Sequence, residues 1–76
     1  AENRRKIYWE HFGMLDNETY SQSAMLKIVK YAENGITIGD NLICTFETTD
    51  FKFPTEAIKA LLEEKYGSGN ILFVIL

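Results

Sequence analysis

The segment "KIYWEHFGMLD", Lys6 to Asp16, decides how this chain reads. It predicts a strand over residues 5 to 12. Ile7, Trp9 and His11 share one face; Tyr8, Glu10 and Phe12 share the other. Both faces are largely apolar, the pattern of an interior strand covered on two sides. Yet a carboxylate and an imidazole stand side by side inside that run before Gly13 ends it.

Outward from this strand, Asp16 or Asn17 can cap a helix, with Glu18 in its favourable first turn. The helix is expected to run to about Asn34, where Gly35 supplies the stop. Ala24, Met25, Ile28, Val29 and Ala32 recur at helical spacing and predict one buried face. "ITIGDN" reads as a loop or short hairpin, and "NLICTFE", Asn41 to Glu47, as a second strand. "TTDFKF" is a connection. Pro54 suits the first turn of a second helix whose stripe is Ala57, Ile58, Leu61, Leu62 and Tyr66, ending at Gly67. "GSGN" is a turn, and "ILFVIL", Ile71 to Leu76, a wholly apolar last strand. Strand, helix, strand, helix, strand implies right-handed crossovers and a small, mainly parallel α/β sheet. No repeat, low-complexity tract or linker divides residues 1–76, which read as a single small domain.

Composition narrows the possibilities. A domain of 76 residues buries only about 60% of the surface its unfolded chain exposes. The lone Cys44 rules out an internal disulfide, and with a single histidine it makes no structural zinc site. A net charge of −3 does not advertise a nucleic-acid binder. No apolar run approaches the roughly 18 residues of a membrane span, and no signal peptide is visible, so a cytoplasmic protein is the default. The chain begins almost on a buried strand and stops on an apolar one. It therefore reads as a fragment of a larger protein, or as a homo-oligomer, simplest as a dimer, joined through its apolar strands.

One constellation suggests chemistry. Glu10 lies near the C-terminal end of its strand, where α/β sheets form their sites. Tyr20, Ala24, Lys27 and Tyr31 follow at spacings of four, three and four, a helical stripe that brings Lys27 to the rim of the core. A carboxylate and an ammonium there suit Mg²⁺ and the charge on an attacked phosphate. The plainer alternative is an edge carboxylate and a snorkelling lysine. His11 divides likewise between a site residue and a neutral imidazole bonded within the core. "NRRK" offers Arg4 and Arg5 as phosphate contacts, although a charged terminus is more often simply solvated. Cys44 reads as a small core residue, "DFKFP" as a loop anchored by Phe51 and Phe53, and "GSGN" lacks the lysine and spacing of a phosphate loop.

"KIYWEHFGMLD", then Tyr20, then Lys27 seven residues on, then Gly35 and "NLICTFE", resembles the PD-(D/E)XK, restriction-endonuclease-like domain of some UvrD/Rep-type DNA helicases, helicase IV among them. The resemblance covers Lys6 to Glu47. It implies Glu10 as a metal-binding carboxylate and the backbone carbonyl of His11 as a second metal ligand. The family's lysine two positions after the glutamate is replaced here by Phe12, and Lys27 takes the helical place that variants of the superfamily use. Tyr20 and Tyr31 flank it. The family also needs an aspartate on a preceding strand, and Ala1 to Arg5 contain none. The resemblance thus implies the second half of a nuclease core, Mg²⁺-dependent on DNA in an intact parent and inactive alone. Two other readings stand beside it: a non-catalytic DNA-associated or protein-interaction module of a helicase-like, DNA-repair protein, and an unrelated α/β domain.

Overall fold

The computed structural model describes residues 5–67 and 69–76. Three strands and two helices alternate: β1 (Arg5–Phe12), α1 (Glu18–Glu33), β2 (Leu42–Phe46), α2 (Thr55–Tyr66) and β3 (Ile71–Ile75). The strands form one parallel sheet in the order β2-β1-β3. This is the α/β fold that the alternation predicts. The central position of β1 explains its two apolar faces, because each is covered. Ile7, Trp9, Glu10 and Phe12 are all buried, joined by Leu42 and Ala24.

The chain steps from β1 to β2, then crosses back past β1 to reach β3. Two right-handed crossovers of this kind put their helices on opposite faces. The contacts agree. Lys27 and Tyr31 of α1 reach Glu10. Tyr66 of α2 stacks on Phe73, which stacks on Trp9 from the other face. Glu10 and Phe12 therefore look toward α1, and Ile7, Trp9 and His11 toward α2 and the loop before it.

Local signals fix the helix ends. The Asn17 side chain accepts the Tyr20 N–H at 2.9 Å and caps α1. After the Asn34 cap, Gly35 turns the chain with φ of 81°, a left-handed conformation that favours glycine. Pro54 stands just before Thr55 as the N-cap of α2, and Gly67 caps its far end.

The burial of α1 departs from its apolar pattern. Of the five positions expected on a buried face, only Ala24 is buried and Ile28 half-buried. Met25 and Val29 are 59% and 53% exposed, and Ala32 is exposed. The stripe turned to the sheet is instead Tyr20, Ala24, Lys27 and Tyr31. The reason lies in β1. Glu10 stands in the middle of the face that α1 covers. An apolar stripe there would leave a buried carboxylate without partners, at a cost of several kcal/mol. A stripe carrying an amine and a phenol satisfies it. In α2 the expected stripe is half met: Ile58, Leu62 and Tyr66 are half-buried, while Ala57 and Leu61 face outward. No helix among the described residues is long and apolar enough to cross a membrane.

Candidate functional site

Glu10 sits two residues from the end of β1 with 6% of its surface exposed. The Lys27 ammonium lies 3.0 Å from its Oε1, and the Tyr31 hydroxyl donates to the same oxygen at 2.5 Å. Tyr20, on the same stripe, accepts the Gly13 N–H at 3.0 Å and so ties the loop after β1 to α1. A pocket of about 110 Å³ opens here, lined by Glu10, Phe12, Tyr20, Ser23, Ala24 and Lys27. The structure thus brings together four of the residues that the sequence singled out, at the C-terminal end of the sheet.

Arg5 does not join them. It begins β1, roughly 16 Å away at ~3.3 Å per residue. Its guanidinium donates to the Asp40 carbonyl at 2.7 Å and to the Asp40 carboxylate at 3.2 Å. Arg4 lies outside the described residues. A larger depression, of about 310 Å³, opens at that N-terminal end beside Arg5, Asp40 and Tyr66. Its charged pair is solvent-exposed, whereas Glu10 is a buried carboxylate with convergent partners.

The electrostatics of the cluster follow from one oxygen with two donors. The hydrogen bond to Glu10 holds the Lys27 ammonium above its ordinary value. Burial, and then the bond to Glu10, pushes the Tyr31 phenol up as well. Both groups bind their protons more tightly in the folded chain. Their contribution is full below the unfolded values, near pH 10, and is lost as pH rises through the raised folded values. Lys27 is 54% exposed at its side chain, so solvent screens its share. The melting temperature is therefore expected to fall above about pH 10, and to fall less steeply in Tyr31→Phe. Thermal melts followed by circular dichroism between pH 8 and 11 check this; identical slopes in the two proteins would remove Tyr31 from the linkage.

Mg²⁺ asks for about six oxygen ligands, commonly one or two carboxylates with water and phosphate oxygens. Among the described residues no three His, Cys, Asp or Glu side chains converge on such a point. Glu10 supplies one carboxylate, already engaged by Lys27 and Tyr31. These residues do not make a Mg²⁺ site by themselves.

His11 points to the opposite face and enters a second network. The Trp9 indole N–H donates to Thr45 Oγ1 at 2.9 Å. The same hydroxyl lies 2.8 Å from His11 Nδ1, to which it can donate or from which it can accept with its second lone pair. His11 Nε2 lies 3.3 Å from Glu47 Oε1. Glu47 Oε1 also accepts the Phe53 N–H at 3.1 Å. Lys52 lies 3.8 Å from its second oxygen. The Phe53 N–H, followed by the His11 bond, holds the Glu47 carboxyl below the usual carboxylate range. The Phe53 ring tilts over the imidazole at 5.4 Å.

His11 is half-buried, with partners that the sequence reading missed. A signal for them was present. "CTFE" alternates, placing Thr45 and Glu47 on one face of a strand, and parallel pairing sets Thr45 beside His11. Cys44 pairs with Glu10 and is half-buried; burial, then the Glu10 charge, pushes its thiol up. It is a packing residue, not an activated nucleophile. Compared with protein families, with curated proteins and with solved structures, the chain gives no match.

Proposed function

We propose that this chain is a nuclease-like module of a DNA-processing protein, and that Glu10 is its metal-facing carboxylate and Lys27 its catalytic cation. The single observation that supports this is the Lys27 ammonium 3.0 Å from Glu10, delivered by the helix that follows the strand. That is the arrangement implied by the resemblance of Lys6 to Glu47 to PD-(D/E)XK domains. In this reading Glu10, the carbonyl of His11 and a carboxylate from another segment or chain would hold Mg²⁺. The metal would supply Lewis-acid activation of a DNA phosphodiester. Lys27 orients the attacking water or balances charge on the phosphate, and Tyr31 holds the Glu10 carboxylate in place. Tyr20 sets the loop that closes the pocket.

The chain alone is expected not to cleave DNA. Incubation with supercoiled plasmid and Mg²⁺ or Mn²⁺ checks that. Metal-dependent nicking that disappears in Glu10→Ala would mean that the chain completes its own metal site. The nuclease-like reading itself is tested by Mn²⁺ titration followed by NMR. Weak binding, in the roughly millimolar range, is expected to broaden resonances around Glu10 and Lys27 and to vanish in Glu10→Gln. No broadening there at any concentration would favour the second reading, a non-catalytic DNA-associated or protein-interaction module. One observation supports that alternative: the Glu10 carboxylate is already closed by a phenol and an amine.

Self-association belongs to the same proposal. In the order β2-β1-β3, the outer edges of β2 and β3 pair with no further strand among the described residues. An unpaired edge offers backbone donors and acceptors to a second copy. Sedimentation equilibrium is expected to show a mass that rises with concentration. A strict monomer at every concentration would remove the dimer from the proposal.

A further inference from the structure

The network on the α2 face has the connectivity of a nucleophile, a base and an orienting carboxylate. Thr45 Oγ1 lies 2.8 Å from His11 Nδ1, and His11 Nε2 lies 3.3 Å from Glu47. From these contacts we infer that Thr45 is a nucleophilic hydroxyl, His11 its general base and Glu47 the carboxylate that fixes the imidazole, acting on small activated carboxylic esters.

Three features carry this. The Trp9 indole can only donate to Thr45 Oγ1, which leaves the hydroxyl its own proton for His11 Nδ1, 2.8 Å away. In the tautomer with its hydrogen on Nε2, facing Glu47 Oε1, the imidazole takes the Thr45 proton at Nδ1. Secondly, the three groups converge from two strands and the residue after one of them, at the C-terminal end of the sheet where α/β folds place sites. Thirdly, Thr45, His11 and Glu47 are all half-buried, neither sealed in the core nor solvated freely. The Phe53 N–H and Lys52 keep the Glu47 charge in place to balance an imidazolium.

The reaction is a hydrolysis in two halves. Thr45 Oγ bonds to the ester carbonyl carbon while its proton passes to His11 Nδ1. The tetrahedral intermediate collapses, the bond to the leaving alkoxide breaks, and the proton on Nδ1 goes to that alkoxide as it leaves as an alcohol. Water then adds to the acyl-Thr45 ester, giving its proton to His11. The C–Oγ bond breaks, Thr45 takes that proton back, and a carboxylic acid leaves. A positioned base is worth roughly 10²–10⁴ in rate. The Trp9 N–H stabilises the developing negative charge on Oγ. The Glu10–Lys27 cluster faces the other side of β1 and takes no part.

The test is acylation by p-nitrophenyl acetate, read as nitrophenolate release and by mapping the acetyl group with mass spectrometry. Acetyl is expected on Thr45, with a burst of nitrophenolate that Thr45→Ala abolishes and Thr45→Ser restores. His11→Gln is expected to slow the burst by about 100-fold. Cys44→Ser, which removes the neighbouring thiol, is expected to leave it unchanged. Circular dichroism shows each variant folded. Acetyl found only on lysines or Cys44, or a burst that survives Thr45→Ala, would overturn the inference. A burst that His11→Gln leaves unaltered would overturn the role of the base.

Discussion

Trp9→Ala is expected to leave the chain largely unfolded at room temperature. Trp9 is 2% exposed at the centre of the sheet, stacked on Phe73 and bonded through its indole to Thr45. Truncating a buried tryptophan costs about 3–5 kcal/mol, the lost transfer energy plus the cavity left behind. A chain of 76 residues has roughly 4–11 kcal/mol in total, at 0.05–0.15 kcal/mol per residue. The upper helix faces here add little, since no residue of α2 is fully buried. The expected stability is therefore near the bottom of that range, and the substitution removes most of it. Urea denaturation followed by far-UV circular dichroism measures the effect. Trp9→Phe keeps one aromatic ring but loses the pyrrole ring with its N–H and leaves a smaller cavity, so about 1–3 kcal/mol is expected to go. A Trp9→Ala protein with a full, cooperative transition would mean that the core lies elsewhere than in β1.

The importance of Trp9 was legible in the sequence because a strand that is apolar on both faces has one place to go, the middle of a covered sheet. The parallel direction of its neighbours also followed, from the alternation of strand and helix. The same reasoning went astray on α1. Periodicity reports which positions share a face, not which face turns inward. Met25, Ile28, Val29 and Ala32 satisfy the periodicity, but one buried carboxylate on β1 outweighs their apolar transfer energy and rotates the helix toward Lys27 and Tyr31. For the candidate site, Glu10 and Lys27 were within reach of sequence reasoning because a strand end and a helical stripe define positions. The Thr45–His11–Glu47 network was harder. It depends on the register between β1 and β2, and register is set by packing across strands that are 34 and 36 residues apart in the contacts that matter. Met25 and Val29, expected on the buried face, are exposed, as is Leu26 beside them.

The two ways of altering the Glu10 cluster are expected to move stability in opposite directions. Lys27→Met removes one of two donors and leaves a nearly buried carboxylate with Tyr31 alone. Breaking a fully buried pair costs 3–5 kcal/mol, but Lys27 is half-exposed and water can replace it, so about 1–2 kcal/mol is expected to be lost. Glu10→Leu combined with Tyr31→Phe removes the buried charge and its phenol partner together. Lys27 then turns to solvent, and the sheet face becomes apolar against Phe12, Ala24 and Leu42. Replacing a buried ionic group by packed apolar side chains is often neutral or stabilising, here by up to about 2 kcal/mol. Chemical denaturation of the two variants beside the parent chain separates the possibilities. If the double variant is as stable as the parent or more so, folding does not need Glu10, and its place in an apolar strand has to be explained by what the carboxylate does. If the double variant is strongly destabilised, Glu10, Lys27 and Tyr31 form a structural clasp between β1 and α1, and the nuclease-like proposal loses the observation that supports it.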